Sequence, residues 1–160
     1  MRKGNPKRKY FMGYLLPTYL VQGGMGMKDV KCDALNKYLD AADAQPANYG
    51  EDSYECDGST YLVLTDDEAN EAAKEYIEQG LGLFNASFLV GFMTNVPEEA
   101  IQALSERMCE DAGPIFKKMI DDFDYFVEAA ISADGRGNLL SGYDGEELEL
   151  EGDLYAYRTD

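Results

Sequence analysis

The stretch YLVLTDDE, residues 61–68, pins the end of a strand and the start of a helix to one residue. Tyr61 to Leu64 form a short apolar, β-prone run, Thr65 stands where a helix N-cap is needed, and Glu68 follows three positions later. A Thr hydroxyl there accepts from the Glu68 amide while the Glu68 carboxylate accepts from the Thr65 amide, so two donors that the helix cannot use satisfy each other. Leu64 and Ala69 occupy the positions of a weak hydrophobic staple. The pattern predicts a strand that turns directly into a helix beginning at Asp66, and therefore a fold in which sheet and helix share a corner.

The spacing extends that helix to about Met93. Ala69, Ala72, Ala73, Tyr76 and Ile77 fall on one side. LGLFNASFLVGFM then runs apolar nearly all round, which implies burial at the centre of the fold. Gly80 and Gly82 mark a bend or a close helix contact, and Asn85 reads as a satisfied buried amide. The run is too short to span a bilayer. Pro97, Glu98 and Glu99 start a second helix, with Ile101, Leu104 and Met108 as its stripe and Gly113-Pro114 as its stop. A third helix over 114–132 carries Phe116, Ile120, Phe123, Val127 and Ile131 on one side, with Asp121, Asp122 and Glu128 largely on another.

ADGRGNLLSGYDGEE, residues 133–147, follows with four glycines and a single cation among acids. Asp134, Gly135 and Gly137 end the helix, NLL reads as a strand, and Asp144-Gly145 as a turn. ELELEGDLYAYR then predicts a hairpin about Gly152-Asp153, with Leu148 and Leu150 toward the helices and Glu147, Glu149 and Glu151 toward water. The expected architecture is α+β: three to four helices packed on a small antiparallel sheet with a C-terminal hairpin.

The first third carries weaker signals. Residues 1–9 read as a basic arm, 10–21 as a β-segment broken at Pro17, 29–43 as a short helix, and QPANYGEDSYECDGS as loop. Pro17 and the tyrosines also interrupt what would otherwise resemble a secretory signal, so none is expected. This divides the chain into 1–58, a basic arm and variable segment, and 59–160, an acidic α+β domain, with the first part expected to be dispensable for folding of the second.

Charge narrows the chemistry. The net charge is −17: residues 1–37 carry eight Lys/Arg against two Asp, while 38–160 carry six Lys/Arg against twenty-nine Asp/Glu. Such a body repels phosphate backbones, so direct nucleic-acid binding by it is disfavoured, and it attracts basic protein surfaces. Excess carboxylates also serve solubility alone. With no histidine, the usual general base and the commonest transition-metal ligand are missing. Cys32, Cys56 and Cys109 are odd in number and far apart, which is neither a disulfide framework nor a zinc site, and fits a reducing cytoplasm. GRG lacks the length and the lysine of a phosphate loop, and Asp134, Asn138, Asp144 and Glu146 lack EF-hand spacing. No catalytic, cofactor or metal residue is assigned. The candidate binding residues are the acidic surface and the turn: Asp121, Asp122, Glu128, Asp134, Arg136, Asn138, Tyr143, Asp144, Glu146 and Glu147. Arg136, the lone cation between Lys118 and Arg158, is expected to be structural before it is functional and to pair with a carboxylate such as Asp134, Asp144 or Glu146.

LTDDEA, FNASF, DGRG, YDGEE and the terminal YRT together resemble a widespread group of small acidic phage and prophage proteins, over about residues 61–160. That group commonly carries aromatic or imidazole side chains where Gly82 and Asn138 stand here. The resemblance implies a phage context rather than a mechanism; together with the acidic charge it leads to the expectation of a non-catalytic role in the cytoplasm of an infected bacterium. The expected partner is a host protein, such as a DNA-binding nuclease, engaged by a DNA-mimic inhibitor of the anti-restriction or anti-CRISPR type. A regulatory or structural accessory protein is the alternative, and a carboxylate-based enzyme the third reading. No membrane partner and no cofactor are expected.

Overall fold

The structure, a computed structural model, describes residues 25–160 apart from Tyr49 and Glu51. The basic arm and the 10–21 segment lie outside the described residues. Helix α1 (Met25–Leu39) comes first, in place of the expected 29–43, and is followed by strands β1 (Gln45–Pro46), β2 (Ser53–Cys56) and β3 (Ser59–Thr65). The stretch expected to be loop thus contains two strands. Asp57 and Gly58 join β2 to β3, both at positive φ (50° and 74°), the two-residue turn that matches strand twist. The division expected between 58 and 59 falls inside this hairpin. Its two strands pair from Ser53↔Leu62 to Cys56↔Ser59, so the segment before 58 shares the sheet with the rest.

Helix α2 (Asp66–Gln79) starts where the capping box requires, with both of its reciprocal bonds present. It does not continue to Met93. Gly80 ends it, a 3-10 turn spans 81–83, and α3 (Ala86–Leu89) begins after Asn85 in extended conformation. The cause is a close approach: a Cβ on Gly82 would lie 2.5 Å from the Cys109 carbonyl and 2.7 Å from that of Glu110, so the chain here is folded against 109–110 and leaves no space for a side chain. Asn85 is exposed at the α3 N-cap rather than a buried amide.

Helix α4 (Glu98–Met108) ends before Gly113-Pro114, and α5 (Gly113–Met119) starts there, close to the expected 114, as suits proline in a first turn. The expected 114–132 helix is broken at Ile120–Asp122. Asp122 caps α6 (Phe123–Asp134) by accepting from the Tyr125 amide, and the Asp121 amide donates to the Phe92 carbonyl. NLL is helical, not a strand: α7 (Arg136–Leu140) sends Leu139 into the helical core and Leu140 toward the sheet. Strands β4 (Leu148–Leu150) and β5 (Leu154–Arg158) form the expected C-terminal hairpin.

The fold is α+β, and the described residues form a five-stranded antiparallel sheet in the order β1-β2-β3-β5-β4. Side chains alternate across it. Tyr54, Cys56, Tyr61, Val63, Leu150, Leu154 and Ala156 face α1 through Ala34 and Leu35, and Leu62, Leu64, Tyr155 and Tyr157 face α2 and α7. A separate helical core gathers around Ile77, Leu81, Leu89, Ile101, Phe116 and Phe126. FNASF serves this core: the rings of Phe84, Phe88 and Phe92 lie 5.3, 5.7 and 5.1 Å from that of Phe126.

Lys31 fastens α1 across the end of the sheet. Its side chain is 2% exposed, and its ammonium pairs with Asp52 at 2.7 Å and with Glu68 at 2.8 Å. Burial alone would push the Glu68 carboxyl up, but the bonds from Lys31 and from the Thr65 amide outweigh it and hold it below its ordinary value of 4.5. Replacing Lys31 with Met leaves two acids without their partner. Because Asp52 and Glu68 keep 22% and 20% of their side-chain surface in water, the expected loss in a urea titration is about 2–3 kcal/mol, under the range for fully buried pairs. A lowered carboxyl stabilises the fold above its unfolded-state pKa, and the contribution disappears as pH falls through the lowered value. The wild-type protein should therefore lose more stability than Lys31→Met on acidification through and below pH 4.5; parallel pH slopes for the two proteins would contradict this.

Candidate functional site

The ten candidate residues do not form one site. Asp121 and Asp122 stand at the start of α6 and Asp134 at its end, about 17 Å apart for a helix of 12 residues. Asp121 accepts from Thr94 Oγ1 at 2.6 Å, Asp122 is a cap, and Glu128 is exposed on the helix between them. The others, Asp134 to Glu147, are brought together where α6 turns into α7 and the following loop returns to β4.

Arg136 organises that corner, with partners other than the three expected. Its Nε and Nη2 donate to the two carboxylate oxygens of Glu147 at 2.8 and 3.1 Å, and Nη1 donates to Asp66 Oδ1 at 2.6 Å and Asn70 Oδ1 at 3.1 Å. The guanidinium lies 4.5 Å over the Tyr155 ring, and the side chain is 11% exposed. Glu147, expected to face water, also accepts from the Tyr157 hydroxyl at 2.6 Å. Burial first, and then that carboxylate, push the Tyr157 phenol well above its ordinary range, so it stays a donor. Every strong group in this circuit is spent on another: the arginine on two carboxylates, Glu147 on arginine and phenol. Within this circuit no nucleophile–base pair is left, and gripping an outside anion would require Arg136 to give up its ion pairs.

The glycines permit the contact. A Cβ on Gly137 would run into the Gly145 carbonyl and lie 2.9 Å from both the Glu146 carbonyl carbon and the Glu147 nitrogen, so the two backbones touch there. The Asn138 amide group donates to the Asp134 carbonyl at 2.6 Å, and a Cβ on Gly145 would lie 2.8 Å from Asn138 Oδ1. The Asp144 carboxyl is held below its ordinary range, first by the Glu146 amide and then by Ser141. Tyr143 is exposed beneath the Arg158 guanidinium, 3.8 Å from ring centre to carbon, and its amide donates to the Arg158 carbonyl. Glu146 is exposed.

LTDDEA contributes Asp66, DGRG contributes Arg136 and Gly137, YDGEE contributes Gly145 and Glu147, and the terminal strand contributes Tyr155, Tyr157 and Arg158. Four of the five sequence motifs thus meet in one network, and the fifth, FNASF, lies in the aromatic core. Lys31, Asn70 and Tyr157 were not singled out from sequence. The signal for Lys31 was its place one turn before Leu35 on the buried side of α1; for Tyr157, its alternation with Ala156 in a strand. The chain matches no protein-family model, no curated protein and no solved structure in the comparisons made. Among the described residues, no group of acids and cysteines is arranged to hold a metal ion, and no helix is long and apolar enough to cross a membrane.

Removing the guanidinium should therefore unfold rather than merely silence. Arg136→Ala is expected to cost about 2–4 kcal/mol in chemical denaturation, since it strands Glu147 beside Tyr157. Arg136→Lys should restore less than half of it, because an ammonium cannot reproduce the two-pronged bond. Gly137→Ala should cost about 1–3 kcal/mol by overpacking. An Arg136→Ala protein of unchanged stability would show that the corner is held by something else.

Proposed function

We propose that this protein works without catalysis, as a phage-encoded acidic protein that binds a basic surface of a host protein in the bacterial cytoplasm, DNA mimicry being the sharpest form of the reading. The observation that carries it is how the charges are used. Lys31, Lys37, Lys74, Lys117 and Arg136 are each engaged by a carboxylate of the same chain. The acidic excess that remains lies on exposed positions, among them Asp67, Glu128, Glu149 and Asp153. The groups with catalytic potential at this corner, Arg136, Glu147 and Tyr157, are already engaged with one another. The phage context rests on the shared motifs, which supply no activity of their own.

A body rich in surface carboxylates presents a basic DNA-binding groove with charges that resemble a duplex, which carries one per roughly 1.7 Å. The predicted behaviour is capture of a DNA-binding protein from bacterial lysate at low salt, release by competing duplex DNA, and a steep loss of binding with added salt. Asp67→Asn, Glu128→Gln, Glu149→Gln and Asp153→Asn avoid the caps and ion pairs that hold the fold. Combined, they should weaken binding cumulatively, by about 0.2–1 kcal/mol each as for exposed charge pairs, with little change in unfolding. A partner indifferent to both DNA and salt, or recovery of virion proteins alone, would overturn mimicry in favour of an accessory role.

A further inference from the structure

Two of the three cysteines lie on the α1 side of the sheet, against one apolar cluster. Cys56, at the end of β2, is buried in the apolar cluster that includes Leu35 and Tyr54, and Cys32, on α1, packs against the same cluster. The segment returning from α1 to β1 ties the helix that carries Cys32 to the strand that carries Cys56. Asn36, one turn along the helix from Cys32, accepts from the Ala44 amide through Oδ1 at 2.9 Å. Next to Ala44, Asp43 accepts from Cys56 Sγ at 3.4 Å. One short loop is therefore bonded at adjacent residues to the helix face that carries Cys32 and to Cys56 itself. Cys109 is exposed in the 3-10 turn 109–112, between α4 and α5, and belongs to none of this.

We propose that Cys32 and Cys56 form a reversible thiol pair, closed to an intramolecular disulfide by a small-molecule disulfide and fastening α1 to β2. In the first step the partly exposed Cys32 attacks glutathione disulfide as its thiolate, forming a mixed disulfide and expelling one glutathione thiolate. In the second, Cys56 passes its proton toward the Asp43 carboxylate and attacks the Cys32 sulfur, expelling the second. Two protein thiols are oxidised and one glutathione disulfide is reduced to two thiols. Burial, then Asp43, pushes the Cys56 thiol up to about 11, so it stays protonated and inert toward bulk reagents and reacts only with a sulfur delivered beside it.

The test equilibrates the full chain in mixtures of reduced and oxidised glutathione, quenches with acid, alkylates free thiols and maps peptides without reduction. The expected product lacks two hydrogens and yields a Cys32–Cys56 linked peptide, while Cys109 carries glutathione or the alkylating group. Cys109→Ser should keep the link. Cys32→Ser, chosen because Cys32 is the less buried of the pair, should abolish it and leave Cys56 unmodified in the folded protein. Oxidation should also raise the melting temperature of wild type and not of Cys32→Ser. Separate modification of Cys32 and Cys56 with no linked peptide, or a link that involves Cys109, would overturn the proposal.

Discussion

The first turn of α2 is where the sheet, both of its covering layers and the C-terminal hairpin are joined. Thr65 and Glu68 close the helix end on themselves, and Glu68 also takes the ammonium of Lys31 from α1. One residue away, Asp66 takes the guanidinium of Arg136, which holds Glu147 beside β4, and Glu147 in turn accepts from Tyr157 of β5. Acids in this position are favoured twice, by the positive end of the helix and by the cations that reach them. Neither cation belongs to the same element as its acids. The turn therefore converts a local capping pattern into long-range connections from α1 and α7, on opposite faces of one sheet.

This explains why the corner at 133–147 reads like a site in the sequence. Glycines and a lone arginine among acids are what a ligand-gripping loop uses, and also what a close backbone crossing locked by an ion pair uses. The two differ in where the arginine's partners come from. Here Asp66 and Glu147 saturate it from two other elements, and Gly137 is pressed against the 145–147 backbone where any side chain would collide. The terminal residues complete the stitching: the Asp160 carboxylate accepts from the amide and hydroxyl of Thr60, and Thr159 donates to the Thr60 carbonyl.

What was legible in the sequence was local. The capping box reaches across three residues, and the α2 start, the β3 strand and the β4–β5 hairpin were all read correctly from neighbours in the chain. Apolar continuity from Leu81 to Met93 suggested one helix, yet the packing of Gly82 against the 109–110 carbonyls, a contact distant in sequence, decides the break. The 114–132 stripe failed for a nearer reason, since Asp121-Asp122 supplies a cap as readily as an acidic face, and the cap won. SYEC is too short to show alternation, but the Asp57-Gly58 pair beside it was a hairpin signal. Arg136 was matched to the acids nearest in sequence, and Asp66, seventy residues away, was beyond any local rule.

The same accounting separates two populations of carboxylates. Asp52, Asp66, Glu68, Asp122, Asp144, Glu147 and Asp160 receive bonds from lysines, arginine, amides or hydroxyls that the fold leaves otherwise unmatched. They are consumed by the architecture. Others, such as Asp67, Glu128, Glu149 and Asp153, are exposed and receive no such bond among the described residues: like charges at this density repel one another and favour expansion, a cost the chain bears through its packed cores and that salt relieves. Added salt thus acts in opposite directions on the two things this surface does, easing the self-repulsion of the folded body while weakening its pull on a basic partner. A protein whose stability rises with ionic strength while its binding falls has a surface charge that its own fold does not require.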